Sequence, residues 1–171
     1  SFERVTAKAC DAIANATKTV YLSGGASALE QLRDAIDGAA KRGVVFVVLH
    51  FGPLPFTVSG ARTFRHTSTE GSLYFHHQAR HLAVVVDSAP AIWALARDGK
   101  HWQGLYSVDP LFASAIKGYI RHDIMVQRIY FDFPDELTQL YGPGLQELAR
   151  ISTTSNESEV RQDVEDHKLI G

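Results

Sequence analysis

A layered α/β domain, with a mixed β-sheet flanked by helices, is the architecture this sequence predicts, and three observations predict it. Val20 to His50 reads as strand, helix, strand, the unit that sets two strands parallel. Short β-branched and aromatic runs joined by brief turns follow between residues 72 and 107. A long helical segment then opens at Asp109-Pro110, an N-cap residue followed by the proline that suits a first turn.

The elements follow in order. Phe2, Val5, Ala9, Ile13 and Ala16 keep helical spacing, and Thr19-Val20-Tyr21-Leu22 is a β-branched and aromatic strand. Ser23-Gly24-Gly25 turns the chain. Ser27 and Glu30 match a capping box, and Leu29, Leu32 and Ile36 carry a helix over 27–42 to Gly43. Val44 to His50 is the continuous apolar run of a strand buried on both faces. Gly52-Pro53-Leu54-Pro55 breaks the pattern, and a short strand is expected near 65–67. Strands are expected at 72–77, 81–87, 91–96 and 102–107. The helix from Asp109 turns Leu111, Phe112, Ile116, Tyr119 and Ile120 inward and runs past His122. Pro134 opens another, and Gly142-Pro143-Gly144 interrupts the pattern before Leu145, Leu148 and Ile151. One domain over 1–151 and a polar, mobile tail over 152–171 are expected.

Composition excludes several classes. The chain has 171 residues, 45% of them hydrophobic, enough for one sizeable core. With 17 basic and 19 acidic residues the net charge is -2, so the positive excess that drives phosphate-backbone binding is missing and DNA binding by this segment alone is not expected. The single cysteine, Cys10, excludes an intrachain disulfide framework and thiolate zinc cages and fits a reducing, cytoplasmic compartment. Cys10 sits beside Asp11 on an apolar helix face, which raises a thiol pKa and argues against a nucleophile. The longest apolar run, Val44 to Leu49, is far short of the roughly 18 residues of a membrane span, and no signal-peptide pattern opens the chain. Because Ser1-Phe2-Glu3 enters a helical pattern at once, the chain is read as a fragment of a longer protein.

Candidate ligand-binding residues follow from where strands end, since ligands of open α/β sheets bind there. Asp87, Ser107 and Asp109 are expected at one mouth with Ser23, Gly24 and His50. A sugar needs acids and hydroxyls for its own hydroxyls and an aromatic face for its ring; Trp93, Tyr106 and Trp102 are the aromatic choices, although each also suits a core. His122 could bond a hydroxyl-rich ligand, but it and Asp123 are helix neighbours and cannot both face one pocket. His66, His76, His77 and His81 with Asp87 carry zinc-ligand chemistry, yet His76 and His77 alternate across a strand and no HExxH pattern appears, so no metal is expected. Neither Gly-x-Gly-x-x-Gly nor Gly-Lys-Ser/Thr is present, and no cofactor is expected.

Arg80-His81-Leu82-Ala83-Val84-Val85-Val86-Asp87 resembles the signature strand of the phospholipase D superfamily, in which a nucleophilic histidine, a phosphate-binding lysine and an aspartate build a phosphodiester-cleaving site. Anchored on Asp87, the histidine position is Arg80 and the lysine position is Leu82. Leucine cannot neutralise phosphate, and a guanidinium stays too firmly protonated to attack it, so the resemblance implies the fold without the catalyst. Gly104 to Pro110, Tyr119 to Ile124, Leu140 to Leu145 and Lys41-Arg42-Gly43-Val44 complete an ordered set that looks like the sensing region of TrmB-like transcriptional regulators. That resemblance spans about residues 1–150 and implies a phospholipase-D-like fold, no catalysis, a small polar effector such as a sugar, and a homodimer. It also implies that DNA is reached through a separate winged-helix domain not present in this sequence. The rival expectations are a diverged phosphodiester hydrolase that recruits His81 or His122, and a pure dimerisation module.

Overall fold

The computed structural model describes residues 1–66, 80–96 and 100–148. Its elements run α1 (Phe2–Ala14), β1 (Thr19–Gly25), α2 (Ala26–Gln31), α3 (Arg33–Lys41), β2 (Val45–Phe51), β3 (Arg62–His66), β4 (Arg80–Val86), β5 (Ala91–Ala96), β6 (Gln103–Ser107), α4 (Pro110–Asp132) and α5 (Pro134–Tyr141), followed by a 3-10 turn at Pro143–Leu145. The strand expected at 72–77 and the tail at 152–171 lie outside the described residues. No described helix is long and apolar enough to cross a membrane.

The strands form one mixed sheet in the order β3-β2-β1-β4-β5-β6. β1, β2 and β3 are parallel, whereas β4, β5 and β6 each run antiparallel to the strand before them in the sheet. Connection length explains two of these directions. The crossing through α2 and α3 is long enough to return β2 parallel to β1, while the short turn at 87–90 can only reverse the chain. The segment expected at 65–67 is β3, an edge strand five residues long that pairs Val47 to Arg62 and Phe51 to His66.

Alternation along the strands divides the core between two faces. Val20 and Leu22, Phe46 and Val48, and Leu82, Val84 and Val86 pack with Ile13, Leu29 and Ile36 under α1, α2 and α3. Leu49 and Ala83 pack with Ile120 under α4, next to Val85 and Ala91 with Ala113. Burial from both sides is why β2 and β4 read as unbroken apolar runs. The single helix expected over 27–42 is two helices. At Leu32 the backbone relaxes to φ -97°, ψ -3°, and its N–H bonds the Leu29 carbonyl three residues back rather than four.

α4 begins where the sequence places it. The Asp109 carboxylate accepts the Leu111 N–H at 2.7 Å, and the Ser107 hydroxyl accepts the Asp109 N–H at 3.0 Å. Asp109→Ala is expected to lower stability by about 1 kcal/mol, and Asp109→Asn by much less, in a thermal melt.

Candidate functional site

The strand directions send the predicted residues to two ends of the sheet. Gly24 pairs with Leu82 and His50, at the end where β1 and β2 finish. β4 and β6 run the other way, so Asp87 lies beside the start of β1 and Ser107 pairs with Ala91 at the far end. The expected single mouth is therefore corrected: Ser23, Gly24 and His50 stand at one end, and Asp87, Ser107 and Asp109 at the other. The reason is that β4 and β6 are antiparallel to the β-α-β unit, so their C-terminal ends point away from it.

Below α4, at the first end, a polar cluster is buried. Ser23 Oγ and His81 Nε2 are hydrogen-bonded at 2.8 Å. The Phe51 ring stacks on His66 at 4.2 Å and meets His81 edge-on at 4.5 Å. His66 Nε2 stands 3.9 Å from the Asp123 carboxylate. Trp93 lies 5.9 Å from His81 and 4.9 Å from Tyr119. Ser23, His66, His81, Asp123 and Gln127 are all buried, so this is an interior polar layer. His50, on the opposite face, donates from Nδ1 to the Gly52 carbonyl at 2.7 Å, which fixes its tautomer. On α4 it is Asp123 that turns inward while His122 is exposed, as the helical period requires.

Asp87 is a backbone clamp. Its carboxylate accepts the Thr17 N–H at 3.0 Å, the Thr17 hydroxyl at 2.9 Å, the Lys18 N–H at 2.9 Å and the Thr19 N–H at 2.8 Å. The residue takes φ +53°, a left-handed conformation that Asp tolerates better than most residues. Partial burial raises its pKa, but the hydrogen bonds from Thr19, Thr17 and Lys18 outweigh it and hold the carboxyl below its ordinary value. For Cys10, burial first and the charges of Asp11 and Asp34 second push the thiol up, in the direction expected.

Among the described residues, an open site lies on the other face, between α1 and the β5–β6 edge. One cavity of about 590 Å³ is lined by Arg4, Lys8 and Asp11 from α1 and by Ile92, Trp102, Gly104 and Tyr106 opposite them. An adjoining one of about 340 Å³ shares Lys8, Asp11 and Tyr106 and adds Asn15, Asp87 and Pro90. Lys8 Nζ stands 4.2 Å above the Tyr106 ring, and Phe2 packs on Trp102 at 5.0 Å. Two of the predicted residues, Asp87 and Tyr106, meet here, as does the aromatic candidate Trp102. The α1 residues were not singled out from the sequence. Their signal is the spacing Arg4, Lys8, Asp11, Asn15, a polar stripe of period 4, 3, 4 along one helix face. Among the described residues, no group of three His, Cys, Asp or Glu side chains is placed to hold a metal.

Solved structures share this architecture. NucT from Helicobacter pylori aligns over 74% of this chain and 90% of its own, at 10% identity and TM-score 0.55. TrmBL2, an archaeal chromatin protein with a novel mode of DNA binding, aligns over 71% of this chain at 15% identity and TM-score 0.55. The fold is phospholipase-D-like. Nuc from Salmonella typhimurium, a phospholipase D family member, aligns over 71% of this chain and 86% of its own at 15% identity and TM-score 0.47. The match spans 48% of TrmBL2, about half its length. No family model matches the sequence, and no curated protein matches it. In this phospholipase-D-like sheet, the two positions that the signature strand gives to histidine and lysine have different surroundings. Arg80 is exposed, and Leu82 is fully buried in the apolar core, beside Gly24.

Proposed function

We propose that this chain is a non-catalytic effector-binding domain of a TrmB-like transcriptional regulator, and that the groove between α1 and β6 takes the effector, a small polar metabolite such as a sugar. The lining of that groove carries the reading. Tyr106 and Trp102 supply aromatic surface beside the Lys8 and Phe2 that rest on them, and Arg4, Lys8, Asp11 and Asn15 supply donors and acceptors around them. That is the mixture a ring rich in hydroxyls requires, in a volume within the usual range of small-molecule sites. Leu82 supports the absence of turnover, because a hydrocarbon side chain enclosed by core residues binds no phosphate. The likeness to TrmBL2, a chromatin protein that binds DNA, supports placing this domain beside a separate DNA-binding unit. The effector acts by binding one arrangement of the two more tightly than the other.

The rival reading, a diverged hydrolase, has one observation in its favour. Ser23 and His81 are within proton-transfer distance of each other, although both are buried. Two measurements on the same protein test the choice. In a thermal-shift screen of sugars, polyols and sugar phosphates, a ligand at about 100 times its Kd adds roughly 2.7 kcal/mol, and the hit is expected to vanish in Tyr106→Ala. Bis-p-nitrophenyl phosphate is expected to show no turnover; hydrolysis that disappears in His81→Ala overturns the sensing reading.

A further inference from the structure

The two edges of the sheet differ in a way the sensing role does not use. β3, at one edge, carries Arg62 and Arg65, and charge on an edge strand discourages pairing with another chain. β6, the other edge strand among the described residues, reads Gln103-Gly104-Leu105-Tyr106-Ser107, with neither charge nor proline. Leu105 is 64% exposed and Tyr106 44%, and Val108 beyond them is 66% exposed. An uncharged edge that no other described strand covers is a template for a further strand.

We propose that β6 pairs antiparallel with β6 of a second copy of this chain, about a two-fold axis at Leu105. The lack of charge on β6 suits a second copy as the occupant, since a strand facing its own copy meets its own charges, and the axis fixes the register. It sets Gln103 opposite Ser107, Leu105 opposite Leu105, and Gly104 opposite Tyr106, so that polar meets polar, apolar meets apolar and no charge meets its like. Gly104 is required by its own sheet, since a Cβ there would stand 2.8 Å from Ala94 Cβ. The bare backbone strip it leaves is the place a facing tyrosine covers. Gly104 and Tyr106 both line the α1 groove, so Tyr106 of each copy reaches the rim of the other's groove. This last consequence rests on the sensing reading; the pairing does not.

Sedimentation of the whole chain over a range of concentrations tests the pairing. A dimer is expected. Leu105→Lys, which sets like charges opposite each other at an exposed position, is expected to abolish it, while Thr63→Lys on β3 leaves it intact. In a second variant, Leu105→Cys, facing Cα atoms in an antiparallel pair stand about 4.5–5.5 Å apart, inside the roughly 4.4–6.8 Å a disulfide spans. Mild oxidation is expected to link Leu105→Cys into a covalent dimer and to leave wild type and Thr63→Cys unlinked. A wild-type chain that stays monomeric throughout overturns the proposal, as does a dimer that survives Leu105→Lys while Leu105→Cys fails to link. Cross-linking without any ligand response leaves the pairing standing and counts against the sensing reading alone.

Discussion

Asp87→Ala is expected to destabilise the fold by roughly 2–4 kcal/mol, because it removes four hydrogen bonds at once, three of them from backbone amides to a charged acceptor. Those amides belong to Thr17, Lys18 and Thr19, the segment that leads into β1, a central strand of the sheet. Alanine also fits the left-handed conformation at this residue poorly. Asp87→Asn keeps the conformational tolerance and loses the charge, so its smaller effect isolates the electrostatic part. Since the folded carboxyl has a lowered pKa, its contribution is complete above the unfolded value, about 4, and is lost as pH falls through the folded value. Urea midpoints at neutral and acidic pH measure both effects. Wild type is expected to lose stability across the acid window more steeply than Asp87→Asn, and an unchanged neutral midpoint in Asp87→Ala contradicts the clamp.

Leu82→Lys is expected to cost more, at least about 4 kcal/mol, since it forces an ammonium among apolar side chains with no buried acid beside it in that cluster. This variant rebuilds the lysine of the phosphodiesterase signature, and Arg80→His adds the histidine. The double variant is nevertheless expected to lose its cooperative melt and to hydrolyse no bis-p-nitrophenyl phosphate. A lysine at residue 82 would lie inside the apolar core rather than at an open phosphate site. A folded double variant that turns over substrate would show that only side chains separate this domain from an enzyme.

The parts of the fold readable from the sequence are those set by local pattern. Val20 to His50 announced the parallel pair, and Asp109-Pro110 the start of α4, because burial period and capping act within a few residues. The break at Leu32 was hidden, since it leaves the apolar spacing of Leu29, Leu32 and Ile36 intact. The candidate site was only half legible. Tyr106, Trp102 and Asp87 were singled out, but as part of one mouth shared with Ser23 and His50. Their true neighbours on α1 are set by which way β4 and β6 run, and strand direction leaves no mark on a single strand's sequence. The pairs Ser23 with His81 and His66 with Asp123 are likewise products of register across the sheet.

The most direct measurement is a calorimetric titration of the best screened metabolite into wild type, Tyr106→Ala and His81→Ala. Saturable binding that is lost in Tyr106→Ala and kept in His81→Ala is the predicted result, because Tyr106 lines the open groove while His81 lies in the interior layer on the other face. Binding that survives Tyr106→Ala and disappears in folded His81→Ala would contradict the account and place the ligand beneath α4.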